Sequence, residues 1–219
     1  MIMLDILNSF ITITSIFSFS TLTAYLICRI TGIEFINPQY NKSLIEYRLK
    51  EMGKSVIALL VPSSYVMYTI NNKLLDSNSH TGLETVSNIS MLILITEGSY
   101  YIYHRLVHRF GNYISIHKHH HSVKNIYPFD TYNISFLDEL GLVLSLASPN
   151  LFLKLTFFEL YTFLWFYITC SYLVHSDKLV KTHYLHHVYY NCNYCILFPI
   201  FDIIFGTYKQ TNNIVLSRS

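Results

Sequence analysis

Of the 35 residues from 140 to 174, only two, Lys154 and Glu159, carry charge. A run this long exceeds one crossing of a bilayer core about 30 Å thick and suits a hairpin of two. Ser148-Pro149-Asn150, or the region near Lys154, would hold the turn, and an early turn would leave the fourth segment re-entrant. Residues 6–30 are uncharged until Arg29 and read as a span and insertion anchor. No basic flank precedes them and no small-residue cleavage site is evident, which argues against a cleaved leader. Residues 55–70, interrupted by Pro62, and residues 86–103, with Glu97 as their acid, complete the set. The expected fold is all-α and integral to a membrane: four to five transmembrane helices with a cytosolic histidine-rich helical cap. Charged residues make up 13% of the chain, against about 25% in ordinary soluble domains. A soluble bundle would seldom carry runs so poor in charge.

With five crossings, residues 31–54, 104–137 and 175–219 share one side. Counting Arg29, that side holds 13 of the 15 Lys and Arg, which makes it cytosolic by the positive-inside rule. A net charge of +2 gives no basic field for nucleic acid, and four cysteines are too few for a disulfide scaffold.

Ten of the 11 histidines lie between His104 and His187, all on the expected cytosolic side. His104-Arg105-Leu106-Val107-His108 is H-x-x-x-H. His117-Lys118-His119-His120-His121 and His183-Tyr184-Leu185-His186-His187 each contain H-x-x-H-H, and His175 stands where the last apolar run ends. On a helix, positions three and four apart share a face, so each box aims its imidazoles one way. His104, His108, His117, His120, His121, His175, His183, His186 and His187 make nine candidate ligands. One tetrahedral ion needs about four, so nine suit a pair. An all-imidazole set favours Fe, Zn, Cu or Ni over Mg and Ca. His119 reads as a neighbour of its box, and His80, on the opposite side, as a satisfied or exposed ring.

The chain has no H-E-x-x-H, G-x-S-x-G, Walker or dinucleotide motif, so protease, esterase and nucleotide-binding readings fall away. A metal site at the boundary of apolar helices points to a lipid substrate. Glu97 precedes His104 and His108 by seven and eleven residues on one helical stripe, and is a candidate for hydrogen bonding to a ligand ring or for helix packing. Beyond the metal ligands, no catalytic residue is assigned. Arg105 and Arg109 read as interfacial anchors. The Cys192-x-x-Cys195 pair is weak evidence for redox or metal work, because no thioredoxin-like pattern surrounds it.

The segment Glu97-Gly98-Ser99-Tyr100-Tyr101-Ile102-Tyr103-His104-Arg105-Leu106-Val107-His108 resembles the acid, aromatic pair and H-R-x-x-H of the fatty acid hydroxylase and sterol desaturase superfamily. The second and third boxes, Asn191-Cys192-Asn193-Tyr194, and the ending Phe201-Asp202-Ile203-Ile204-Phe205-Gly206-Thr207-Tyr208 extend the likeness over about residues 97–209. The chain then divides into an N-terminal transmembrane region, 1–96, a catalytic region, 97–209, and a polar tail, 210–219. The resemblance implies an endoplasmic reticulum membrane oxidoreductase with two irons (zinc being a possible occupant on purification) and O2 as co-substrate. A separate b-type cytochrome and its reductase would supply electrons. The product would be a hydroxylated or desaturated sterol, fatty-acyl or sphingoid lipid, with N-x-N-Y pointing toward the sterol desaturase branch.

The chain departs from the family at Phe136-Leu137-Asp138-Glu139, which lacks the usual histidine and proline before the glutamate. An accessory contact is expected to be missing there, and Asp138 is not expected to replace it. Cys195 stands where the family has glycine, which predicts a shifted loop behind the last box. These departures keep open a catalytically inactive metal-binding relative. A membrane metal carrier is disfavoured, because the ligands cluster at the boundary instead of mid-membrane.

Overall fold

A computed structural model describes residues 2–110, 113–123, 125–179 and 181–210. They form helices α1 (Ile2–Thr31), α2 (Lys42–Lys73), α3 (Gly82–Arg109), α4 (Tyr113–Ile116), α5 (Phe136–Ala147), α6 (Phe157–Val174), α7 (Lys181–Tyr189) and α8 (Ile200–Ile204). Short 3-10 turns occur at His120–Ser122, Pro128–Asp130 and Ser148–Leu151. The only strand-like pairing among the described residues is an isolated bridge between Leu75 and Leu155.

Among the described residues two helices, α1 and α6, are long and apolar enough to cross a membrane by length and composition. Helix α1 buries a seam of mostly small residues, Ser9, Ile13, Ser20, Ala24 and Cys28, and exposes Leu7, Ile11, Leu22 and Leu26. The small side chains let its backbone approach α6 closely. Hydroxyls stitch the two helices together: Thr21 Oγ1 and Tyr172 Oη lie 2.9 Å apart, Ser20 Oγ donates to the Trp165 carbonyl at 3.3 Å, and Trp165 Nε1 donates to Thr23 Oγ1 at 3.2 Å. Apolar residues facing outward along α1 are what a lipid-facing helix requires.

The remaining expected spans are only partly matched. Residues 55–70 lie inside α2, which continues through Pro62, and residues 86–103 lie inside α3. Both helices carry charge at each end, from Lys42 to Lys54 and at Lys73 in α2 and at Glu84, Arg105 and Arg109 in α3, and neither is as apolar as α1 and α6. The long run at 140–174 does turn at Ser148-Pro149-Asn150. Its first limb, α5, has 12 residues, about 18 Å at 1.5 Å per residue, too short to cross a bilayer core. Ser148 Oγ lies 2.8 Å from Ser99 Oγ, part-way along α3, so the turn sits inside the bundle.

Two polar clusters mark opposite ends of the bundle. At the far end, Asp76 N donates to the Leu155 carbonyl at 2.8 Å, and His80 Nδ1 lies 2.9 Å from the buried carboxylate of Glu159. Asn88 Nδ2 also donates to Glu159, at 3.1 Å. At the histidine end, Arg48 Nη1 lies 3.2 Å from the buried Asp130 carboxylate, which also accepts from Tyr40 Oη. Phe129 N donates to the Phe35 carbonyl at 2.9 Å. The segment between α1 and α2 is thereby pinned to the chain that follows the second histidine box.

Candidate metal centre

Box one sits on the last turns of α3 and box three on α7, as helical spacing predicts. Box two differs. It follows the single turn of α4, closes with a bond from His121 N to the His117 carbonyl at 3.3 Å, and passes into a 3-10 turn. All nine candidate imidazoles meet. His104, His108, His117, His121 and His186 form one set, and His120, His175, His183 and His187 the other. Within each set the candidate ligand atoms lie within 4.8 Å of one another. The sets do not follow the boxes. In both H-x-x-H-H motifs the outer i, i+4 pair goes to one set and the middle histidine to the other. His119 is exposed, and His80 lies at the far end.

Hydrogen bonds fix several rings. His104 Nδ1 is 2.7 Å from the Tyr194 carbonyl, His186 Nδ1 2.8 Å from that of Cys192, and His175 Nδ1 2.6 Å from that of Ser171. A carbonyl only accepts, so each of these Nδ1 atoms carries the proton and leaves Nε2 bare. His117 Nδ1 donates to Asp138 Oδ2 at 2.7 Å, and Tyr103 Oη donates to Asp138 Oδ1 at 2.7 Å. Asp138 therefore bonds to a candidate ligand ring, a contact the sequence reading had not counted on. It orients His117 from the first turn of α5, where Ser135 caps the helix.

The decisive geometry is the pair His104 Nε2 and His117 Nε2, 2.9 Å apart. Both rings have committed their proton to Nδ1, so two lone pairs face each other with no hydrogen to share. A cation bridging them turns that repulsion into two bonds. Nitrogens bonded at about 2.0–2.1 Å to one ion lie about 3.0 Å apart at right angles and about 3.4 Å apart at the tetrahedral angle. The His186–His121 and His175–His120 Nε2 pairs, at 3.1 and 3.3 Å, fall in the same range. His187 adds a second sign: both its ring nitrogens are buried with no hydrogen-bond partner among the described residues. Burial, reinforced by neighbouring imidazoles, holds His120, His121, His183, His186 and His187 below the ordinary histidine range. The neutral form that burial favours is the one that binds metal. The donor set fits two ions.

Residues outside the boxes carry the loop that orients these rings. Glu97 makes no described hydrogen bond to a histidine. Its buried carboxylate accepts from Ile196 N and Leu197 N at 3.1 Å and from Tyr167 Oη at 2.8 Å. It anchors residues 196–197, just past the Tyr194 carbonyl that His104 uses. Asp202 accepts from Tyr194 N at 2.8 Å, Cys195 N at 2.9 Å and Thr207 Oγ1 at 2.7 Å. Asn193 donates to the Thr182 and Lys209 carbonyls and accepts from Lys209 N. Among the described residues the non-glycine positions with positive φ are Tyr190 and Asn193, so the backbone conformation at Cys195 does not itself call for glycine. Cys192 and Cys195 are buried free thiols, and the carbonyl of Cys192 is the group that meets a ligand ring.

A cavity of ≈ 40 Å³ reaches His117, His120 and His175, touching both sets, between α3, α5 and α6. Its other walls include Tyr100, Leu142, Leu146 and Ile168.

A helical bundle with two imidazole sets suited to metal, all buried except half-buried His108, defines a histidine-box metal-centre protein. The family described as fatty acid hydroxylase matches residues 89–207, more than half of the chain and all nine histidines of the two sets. The chain belongs to this family, within the fatty acid hydroxylase and sterol desaturase superfamily. Protein CER1-like 1 of Arabidopsis thaliana is 24% identical over 202 residues, covering 80% of this chain and 32% of that protein. The chain thus spans about a third of the length of this curated relative. No solved structure matches. Family membership supports a lipid hydroxylase or desaturase type of oxidoreductase, and the two histidine sets support metal dependence.

Proposed function

We propose that the protein is an integral membrane oxidoreductase that hydroxylates or desaturates a lipid at a non-haem di-iron centre. His104, His108, His117, His121 and His186 would hold one iron, and His120, His175, His183 and His187 the other. When bound, the reduced pair supplies dioxygen activation and hydrogen abstraction from an unactivated C–H bond. The chain's own residues set the ligand orientation: Asp138 and the carbonyls of Ser171, Cys192 and Tyr194 fix four rings. Tyr100, Leu142, Leu146 and Ile168 offer an apolar path to both sets and limit water there. The observation that carries the reading is the facing of bare Nε2 atoms of His104 and His117 at 2.9 Å.

The protein would sit in the endoplasmic reticulum membrane with the histidines toward the cytosol. Electrons would come from a separate b-type cytochrome and its reductase. The inactive-relative reading rests on the sequence around Asp138 and Cys195, where Asp138 accepts from His117 and the Cys195 backbone N donates to Asp202. Anaerobic, iron-replete purification should give two irons per chain, and expression in a heterologous host should add a hydroxylated or desaturated lipid. A His104→Ala or His187→Ala variant should abolish that product. Metal-free protein under those conditions would sink the proposal, and full metal with an unchanged lipid profile would favour the inactive relative.

A further inference from the structure

A second, wider cavity opens on the other side of the five-histidine set. Arg105, His108, Arg109, Tyr190, Asn191 and Thr207 line it, together with Tyr194. The ≈ 800 Å³ space is open to solvent. Its described walls contain two guanidinium groups and no carboxylate. The narrow apolar cavity ends on His117 and this polar one on His108, members of the same set with ring centroids 4.9 Å apart.

Arg105 is built in place. Its Nη1 donates to Tyr101 Oη at 2.6 Å, and its guanidinium lies 5.7 Å from the Tyr101 ring centroid. Tyr101 Oη is 3.1 Å from Thr207 Oγ1, which donates to the buried Asp202 carboxylate at 2.7 Å. Tyr101 also stacks on Phe205 with centroids 5.3 Å apart. A guanidinium has five N–H donors, and this chain of bonds uses one nitrogen while fixing the plane. Arg109, one helical turn on, is exposed at the same mouth. An interfacial anchor needs no fixed plane; a receptor for a planar or tetrahedral anion does.

We propose that this groove is an anion site in which Arg105 and Arg109 bind the phosphate or carboxylate head of the lipid while its chain meets the five-histidine set at His108. The inference rests on the lipid-oxidising reading above and sharpens it to lipids with an anionic head. A free sterol, whose polar group is a neutral hydroxyl, would gain nothing from the two arginines.

The test uses the full, metal-loaded chain in an uncharged detergent, with dodecyl phosphate, dodecanoate, dodecanol and inorganic phosphate as calorimetric probes. Dodecyl phosphate and dodecanoate should bind about tenfold or more tighter than dodecanol, the scale of one charge-assisted hydrogen bond. Arg109→Gln and Arg105→Gln should each remove most of that preference while metal content stays at the wild-type level. Should Arg105→Gln disturb the Tyr101–Asp202 chain, the exposed Arg109 carries the test alone. Equal affinity for the alcohol and the two anions would overturn the proposal, as would a preference that survives both substitutions. Inorganic phosphate binding as tightly as dodecyl phosphate would also overturn it, because the site would then take free anion and no lipid head. Each of these results leaves metal content and lipid product intact, so the groove can fail while the oxidoreductase reading stands.

Discussion

The side chain with the largest leverage for its size is Asp138. It is a single carboxylate between Tyr103 and His117, yet it decides which nitrogen of His117 faces the centre. Partners of this kind are worth about 10–100-fold in metal affinity. Asp138→Ala should therefore bind metal about 10–100-fold more weakly in a chelator competition, and Asp138→Glu should recover part of the loss. Acidification gives a second test. The buried rings of His120, His121, His183, His186 and His187 take protons below the ordinary range, whereas released rings take them near pH 6.5. Their contribution to stability is complete above about pH 6.5 and is lost as pH falls below it. Metal retained after desalting and the unfolding temperature should both drop between pH 7.5 and 5.5. The histidines were legible because i, i+3, i+4 spacing is a local property. Their division into five and four was not, because only tertiary packing sends His120 and His186 to opposite sets. Nor does any sequence pattern mark a backbone carbonyl such as that of Cys192 or Tyr194 as a partner, and Glu97 shares a helical stripe with two ligands while bonding to a different loop.

Among the elements, α1 and α6 show how apolar length and packing trade off. The run at 6–30 was readable as one helix, and the buried face of small residues along it explains how it meets α6. Ala24 is fully buried in that seam. Ala24→Leu should force the helices apart at a cost of about 1–3 kcal/mol, read as a lowered unfolding temperature in detergent, while Leu26→Ala on the exposed face should cost little. The fourth segment was ambiguous for a physical reason. Hydrophobicity continues through Leu144, Leu146, Leu151 and Leu153, so only Ser148-Pro149-Asn150 announces the break, and a proline can open a turn or sit inside a helix. Pro62 lies in the middle of α2 and takes the second course, and Pro149 takes the first.

On the scale of the whole molecule, the bundle has a chemical polarity. Arg48, Asp130 and both imidazole sets occupy one end, and His80, Asn88 and Glu159 the other. Cysteine labelling in intact vesicles should place Ser43→Cys on the same side as the histidines and Ser77→Cys on the opposite side. All four native cysteines would first be replaced, since Cys170 is only partly buried. Labelling of both positions from one side would reject a crossing by α2. The charge count anticipated that the clustered histidines share an end, because charge asymmetry and ligand placement follow from the same alternation of the chain. It could not anticipate that α5 stops part-way.

The mixing of boxes also imposes an order on biosynthesis. His186 completes one set and His183 and His187 the other, so neither set is complete while α7 is still within the ribosome. A nascent chain cut before Lys181 offers four rings to one ion and two to the other. The four-ring set is accordingly complete only after α7 emerges, so its metal would be acquired late, after translation of the preceding helices.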